Sequence, residues 1–257
     1  RMMDYIGIDI GSTAAKVCVR GPHAQQFVLP TGWSSRETAD EIGRRLTASG
    51  IRLEPGTAYT VATGYGRGNV VFADRAVTEI TCHARAGAQE TGGTCTLIDI
   101  GGQDTKVIRV EGGVVTDFLM NDKCAAGTGK FLEIMANRLC VGLEALFALA
   151  ETGTPLSISA LCTVFAESEV ISYIGEGRPR PDIAAGVIDS VAAKVATLCS
   201  RQALLPEIRL TGGLCHSPYF VARLAEKLGH PVQALPGGQF AGAYGASLIA
   251  QKQASRS

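Results

Sequence analysis

The chain has 257 residues, 46% of them hydrophobic, which is enough for one large domain or two moderate ones. Its 24 Lys and Arg balance 24 Asp and Glu, which excludes a charge field aimed at nucleic acid or a membrane surface. No run approaches about 18 apolar residues, so no membrane-spanning helix is expected. The opening Arg-Met-Met-Asp-Tyr-Ile-Gly runs straight into a strand pattern. Arg1 therefore reads as an addition, no signal peptide is expected, and the expected compartment is the cytoplasm.

Tyr5–Gly11 is a short apolar strand ending in Asp-Ile-Gly-Ser-Thr, and Ala15–Val19 reads as its hairpin partner. Thr38–Ser49 has helical spacing and stops at Gly50. Ala58–Thr63 reads as a strand and Ala76–Ala88 as a helix stopped by Gly92-Gly93. The pattern then begins again. Ile8, Asp9, Ile10, Gly11, Lys16 and Val17 recur at an offset of 90 residues as Ile98, Asp99, Ile100, Gly101, Lys106 and Val107. Thr63-Gly64 is echoed by Thr211-Gly212. From Asp to Thr-Gly is 54 residues in the first half and 112 in the second, so the second half carries 58 extra residues. Two echoes in the same order argue for a duplicated α/β unit. The division expected is a first lobe over 1–92, completed by a C-terminal helix over 240–252, and a second lobe over 93–239 with a helical insertion over 121–181.

Within the insertion, Lys130–Leu139 and Leu143–Ala150 read as helices, Thr152–Pro155 as a turn and Ser157–Leu161 as extended. Thr163–Ile174 has helical spacing, Gly175–Pro181 reads as a loop and Asp182–Ala203 as a long helix. Glu207–Thr211 reads as a strand and Pro218–Leu228 as a helix. Phe240–Gln251 is rich in Gly and Ala, which suits a helix packed close to another backbone. Gln253–Ser257 reads as a disordered tail.

The chemistry-bearing stretch is Asn121-Asp-Lys-Cys-Ala-Ala-Gly-Thr-Gly-Lys-Phe131, a cysteine at the head of a glycine turn that opens a helix. A helix start offers free N–H groups and the positive end of a dipole to an anion. Cys124 is read as carrying redox chemistry, with Gly127, Thr128 and Gly129 tying it to a nucleotide. The turn Gly11-Ser12-Thr13 and its counterpart Gly101-Gly102-Gln103-Asp104 can approach phosphates closely. Asp9 and Asp99 are expected to face each other across a cleft, to hold a hydrated Mg2+ or to orient a water. Gln103 can orient the same water, and Gly212-Gly213 suits the adenosine or α-phosphate. Lys16 and Lys106 fall near the phosphates, although each is read nearly as well as a strand-exit lysine.

There are eight cysteines and no CxxC pair, against a zinc ribbon or a thioredoxin-type site. Cys18, Cys95, Cys140 and Cys199 read as buried small hydrophobes; Cys82 and Cys215 are less clear. Cys124 and Cys162 lie 38 residues apart, each ahead of a helical pattern. Two cysteines cannot fill the four positions of a cubane, but a two-fold dimer supplies four thiolates. Buried thiols or an interfacial four-thiolate zinc are the alternatives. His23, His83, His216 and His230 lack ligand spacing and read as structural or surface residues.

These motifs resemble the sugar kinase, Hsp70 and actin superfamily, with its duplicated ribonuclease H-like α/β units. Within it they closely resemble the ATP-dependent activators of 2-hydroxyacyl-CoA dehydratases and benzoyl-CoA reductases, the BadF/BadG/BcrA/BcrD type. The residues that carry the likeness are Gly7–Thr13, Ile98–Asp104, Asn121–Gly129, Cys162-Thr-Val-Phe-Ala-Glu-Ser-Glu169, Thr211–Gly213 and Gln239–Ala243. The resemblance implies an oxygen-sensitive homodimer that binds ATP or ADP with Mg2+. It implies one [4Fe-4S] cluster per homodimer, held by Cys124 and Cys162 of both subunits. It implies that ATP hydrolysis drives one electron into a dehydratase-, reductase- or double-cubane-type iron–sulfur protein, with reduced ferredoxin or flavodoxin as donor. A change between ATP and ADP at Gly127–Gly129 is expected to alter the cluster's surroundings. A small-molecule kinase of the same superfamily, without a cluster, is the alternative; it has no use for the paired cysteines.

Overall fold

Residues 3–159 and 162–256 are described in the structure, a computed structural model. The expected hairpin forms: β1 (Asp4–Ile10) pairs antiparallel with β2 (Ala14–Arg20). A strand that periodicity does not signal, β3 (Gln25–Pro30), adds to β2. It is a half-exposed edge strand ending in proline, where the missing N–H costs no ladder bond. Helix α1 (Ser35–Ala48) begins three residues before the expected Thr38, because the Ser34 hydroxyl accepts from the Glu37 N–H and caps it. It buries Ala39, Ile42 and Leu46. Strand β4 (Ala58–Thr63) lies parallel to β1, and the two-residue β5 (Arg75–Ala76) closes the sheet in the order β3-β2-β1-β4-β5. Helix α2 (Glu79–Thr91) starts after β5, not at Ala76, because Ala76 is spent in the sheet and Thr78 caps the first turn.

The second sheet has the order β10-β9-β6-β7-β8. Its strands are β6 (Cys95–Ile100), β7 (Thr105–Glu111), β8 (Val114–Asn121), β9 (Ile208–Gly212) and β10 (Gln233–Ala234). Strand β8 is mostly exposed and polar-interrupted, so no clean alternation marks it. The helices are α3 (Gly129–Arg138), α4 (Leu143–Thr152), α5 (Thr163–Gly175), α6 (Arg180–Cys199) and α7 (Pro218–Leu228). Helix α4 runs on through Thr152, where a turn is expected from sequence. Helix α6 starts inside the expected 175–181 loop, because Pro181 fits a first helical turn. It buries Ile183, Val187, Val191 and Val195 in the core built on β6, β7 and β9. Ser157–Ser159 is irregular, and the remainder of the expected extended segment, Ala160 and Leu161, lies outside the described residues.

The last helix, α8 (Ala241–Ala254), includes Gln253, which the sequence reading assigns to a tail. Ser257 lies outside the described residues. The chain divides into two units: one runs through Cys95 and adds Arg109–Asp117 and everything from Phe240, while the other holds Thr96–Ile108 and Phe118–Gln239. Within the first unit α8 packs on β1 and α2 at backbone distance. A Cβ on Gly7 would stand 1.8 Å from the Ala243 carbonyl oxygen, and one on Gly245 would stand 1.7 Å from that of Cys82. The Gly/Ala composition of α8 is thus a packing requirement. Among the described residues no helix is long and apolar enough to cross a membrane.

Because both partners at Gly245 are backbone, neither can swing away. Gly245→Ala should destabilise the fold by about 2–3 kcal/mol, the usual range for overpacking. Thermal or urea unfolding reads this directly; an unchanged midpoint would contradict the close approach.

Candidate functional site

The duplication holds in three dimensions. In the first unit Asp9 on β1 stands in register with Thr63 on parallel β4. In the second unit Asp99 on β6 stands in register with Thr211 on parallel β9. The glycine after each threonine has positive φ, +89° at Gly64 and +93° at Gly212. A Cβ there would lie 2.4 Å from the Ile10 carbonyl oxygen and 2.2 Å from that of Ile100 respectively. Both Thr-Gly echoes therefore answer one steric demand, the crossing of two strand ends behind a carboxylate. Gly213 opens a 3-10 turn over Gly213–His216.

The two hairpin turns are also closed alike. The Gly11 N–H donates to the Ala14 carbonyl at 3.1 Å, and the Gly101 N–H donates to the Asp104 carbonyl at 2.8 Å. Each glycine thus spends its own donor. The N–H groups of Ser12, Thr13, Gly102 and Gln103 make no hydrogen bond among the described residues. Ser12, Thr13 and Gln103 are exposed. A turn that presents successive unused N–H groups at a strand end can receive a phosphate oxygen.

Around the carboxylates the two units differ. Asp99 is buried; its Oδ1 accepts from the Thr211 hydroxyl at 2.8 Å, and its Oδ2 lies 3.6 Å from Lys106 Nζ. The same ammonium stands 2.7 Å from Asp104 Oδ2 and is 3% exposed. Lys106 is therefore committed inward, as the counter-ion of two carboxylates. Lys16 is half-buried on β2, in register opposite Asp9. The Asp9 carboxylate fills the space over Gly242, where a Cβ would stand 2.4 Å from Oδ2 and 3.0 Å from His83 Cε1. His83 is buried, with Nδ1 at 2.9 Å from the Glu79 carbonyl. Its place beside Asp9 is not legible in sequence, since a lone histidine on a helix carries no spacing signal.

The Cys124 segment is held from several sides. Asn121 Nδ2 donates to the carbonyls of Cys124 and Ala126 at 3.3 and 3.4 Å, and the Thr105 hydroxyl donates to the Gly127 carbonyl at 2.7 Å. The sequence reading expects free N–H groups at the start of α3, but its first two donors are occupied. Gly129 N–H donates to the Gly101 carbonyl at 3.0 Å and Lys130 N–H to the Gly102 carbonyl at 2.8 Å. They replace a side-chain cap, which Thr128 does not supply. Thr128 is fully buried with its hydroxyl on the Ala125 carbonyl. The phosphate-type turn of the second unit and the start of the helix behind Cys124 are thus one hydrogen-bonded piece.

Burial sorts the cysteines. Cys18, Cys82, Cys95, Cys199 and Cys215 are buried, Cys124 is half-buried, and Cys140 and Cys162 are exposed. Burial pushes the thiols of Cys82 and Cys199 up to about 12 and raises that of Cys215. Cys140 is read from sequence as core; instead it ends α3 in the left-handed region, φ +55°, where the chain turns outward. Cys162 is the N-cap residue of α5, and its carbonyl accepts from the Ala166 N–H at 3.0 Å. Among the described residues no group of three or more His, Cys, Asp or Glu is placed to hold a metal. Two accessible thiols on helix-leading segments fit half of a four-thiolate site completed by another copy.

A thiol raised to about 12 is thiolate in only about one molecule in ten thousand at pH 8. Iodoacetamide at pH 8 should therefore modify Cys124, Cys140 and Cys162 in folded, metal-free protein and spare Cys82 and Cys199 until it is denatured. Peptide mass spectrometry gives the order, and early labelling of Cys82 would contradict the burial. Lys106→Met should cost about 3–5 kcal/mol in urea unfolding, because it strands the buried Asp99 carboxylate; a loss below about 1 kcal/mol would show that the ion pairs are dispensable.

Residues 6–250 match the BadF/BadG/BcrA/BcrD ATPase family. The (R)-2-hydroxyglutaryl-CoA dehydratase activating ATPase of Acidaminococcus fermentans is 41% identical, over 98% of both chains. The crystal structure of that dehydratase's component A superposes with TM-score 0.90, covering 98% of this chain and 99% of that one at 40% identity. The activator of the 2-hydroxyisocaproyl-CoA dehydratase from Clostridium difficile, with bound ADPNP, also gives TM-score 0.90 at 35% identity, over 99% and 96% of the two chains. A ROK family glucokinase from Streptomyces griseus, at 15% identity and TM-score 0.60 over 98% of this chain and 100% of that one, shares the fold alone. With a match over nearly its whole length, and with the paired strand-end carboxylates and glycine turns that go with it, the chain belongs to the BadF/BadG/BcrA/BcrD ATPase family and is an ATPase of the actin/Hsp70/sugar kinase fold.

Proposed function

We propose that this ATPase is an activator that drives a single low-potential electron into a partner iron–sulfur enzyme of the 2-hydroxyacyl-CoA dehydratase or benzoyl-CoA reductase class. The names of its relatives support that acceptor class. A double-cubane-cluster protein is a further acceptor of the same chemistry, and reduced ferredoxin or flavodoxin is the donor in this reading. On the nucleotide side, the unused N–H groups of Ser12, Thr13, Gly102 and Gln103 receive phosphate oxygens, with Gly11, Gly101 and Asp104 shaping the turns. Lys16 adds charge beside them. Gly212 and Gly213 line the adenosine side. Asp9 and Asp99 would hold a hydrated Mg2+; Thr211 and Lys106 already occupy the Asp99 oxygens, which favours contact through water over direct ligation. Gln103 orients the attacking water.

Cys124 and Cys162 and their counterparts in a second copy would hold one [4Fe-4S] cluster. When bound, such a cluster supplies a one-electron couple, as Mg2+ supplies neutralisation of phosphate charge. Val164 and Phe165, two and three residues after Cys162, are 64% and 67% exposed, and such an apolar edge beside a ligand supports a protein neighbour there. The observation that carries the coupling is the pair of backbone bonds from Gly129 and Lys130 to Gly101 and Gly102. A turn that shifts with the loss of a γ-phosphate must pull on the start of α3, five residues beyond Cys124. The chain's own contribution is to convert phosphate occupancy into a change in the setting of a thiolate ligand.

Protein purified without oxygen should contain about four iron and four sulfide per dimer. Both should be lost in Cys124→Ala and in Cys162→Ala, with ATP hydrolysis persisting. Zinc in place of iron, or no metal with both variants behaving as wild type, would sink the redox reading and direct the search to a kinase substrate. In the loaded protein the midpoint potential should differ between an ATP analogue and ADP; equal potentials in the two states would refute the coupling.

A further inference from the structure

Upstream of Cys162, residues 157–159 have no regular secondary structure. Leu156 is anchored, its N–H donating to the Asp182 carbonyl at 3.2 Å, but Ser157–Ser159 joins no strand or helix. Side chains of α5 reach back to that strap. Glu169 Oε2 accepts from the Ser159 N–H at 3.0 Å, and its Oε1 accepts from the Ser159 hydroxyl at 3.2 Å. One turn further, the Tyr173 hydroxyl donates to the Ser157 carbonyl at 2.6 Å. Positions 162, 169 and 173 fall on one side of the helix by the 3.6-residue period. The strap therefore lies along the helix side that Cys162 heads. A carboxylate that takes both donors of one residue fixes its place and its orientation, with charge-assisted bonds. The same helix reaches the other thiol segment: Glu167 pairs with Arg138 in the last turn of α3.

We propose that Glu169, seconded by Tyr173, is a positioning residue that holds the Cys162 segment where its thiolate can share a metal centre with Cys124. The inference rests on the cluster reading above. Without the clamp, Ser157–Ser159 lose their side-chain anchors and one thiolate arm releases more readily. Residues that orient a ligand typically change metal retention by about 10–100-fold when removed. Glu169→Gln keeps an oxygen for the Ser159 N–H and offers an NH2 to the hydroxyl, so it preserves both bonds without the charge. Glu169→Ala preserves neither.

The experiment compares wild type, Glu169→Ala, Glu169→Gln and Tyr173→Phe as anaerobically reconstituted dimers. It reads iron loss to a chelator and the EPR spectrum after reduction. In metal-free samples it reads amide hydrogen exchange across 156–162. Expected are iron loss about tenfold faster or more and a broadened EPR signal in Glu169→Ala, faster exchange at Ser159, substantial rescue in Glu169→Gln and an intermediate Tyr173→Phe. Tyr173→Phe, which removes one surface hydroxyl, keeps the comparison decisive if Glu169→Ala folds poorly. Wild-type iron loss in Glu169→Ala and Tyr173→Phe overturns the proposal while leaving the cluster reading intact, as does unchanged exchange at Ser159. A Glu169→Gln as labile as Glu169→Ala also overturns it. A wild-type dimer that takes up no iron overturns the cluster reading and this inference together.

Discussion

Two backbone hydrogen bonds organise the second unit: Gly129 N–H to the Gly101 carbonyl and Lys130 N–H to the Gly102 carbonyl. They satisfy the first orphan donors of α3 without a side-chain cap, and they do so with the carbonyls of the hairpin turn between β6 and β7. Side chains can swing to a new rotamer; backbone amides at a helix start cannot move without the helix. A displacement of that turn is therefore carried into α3 and the loop ahead of it. Thr105 and Asn121 tie the same loop to the ends of β7 and β8, leaving it little freedom to absorb a shift locally.

The duplicated carboxylates show how one backbone plan supports unequal chemistry. Asp9 and Asp99 share their register with a threonine, their glycine crossing and their hairpin closure. In the second unit a buried lysine compensates two carboxylates at once and the threonine hydroxyl takes another lone pair. In the first, the carboxylate sits against Gly242 of α8 and the edge of His83. A buried charge survives only with compensating partners, which for Asp99 are the Lys106 ammonium and the Thr211 hydroxyl.

Burial also decides which thiols can do chemistry. Low dielectric disfavours a thiolate, so Cys82, Cys199 and Cys215 are pushed away from ionisation and from metal binding. Cys124 is half-buried and Cys162 exposed, because both lead into helices from loops. Cys140 is exposed as well, at the left-handed turn that ends α3.

Much of this was legible in the linear chain. The repeat of Asp9 to Lys16 at Asp99 to Lys106, the Thr-Gly echoes, the cysteine ahead of a glycine turn and the Gly/Ala-rich last helix each express a local rule of spacing or sterics, and local rules survive in sequence. The weakly patterned strands β3 and β8 did not show: β3 carries Gln25 on its inner face and Val28 on its outer one, and β8 is mostly exposed, so residue type does not alternate with burial. Nor did the inward commitment of Lys106, the place of His83, the exposure of Cys140 or the occupied donors of α3. Each depends on which distant group closes on a residue, and the energy of a charge, a thiol or an N–H is set by that partner and by the water it excludes. The sequence determined the repeating strand–turn units and the residue types at their ends; tertiary structure alone decided which of those residues were spent on the fold and which were left for chemistry.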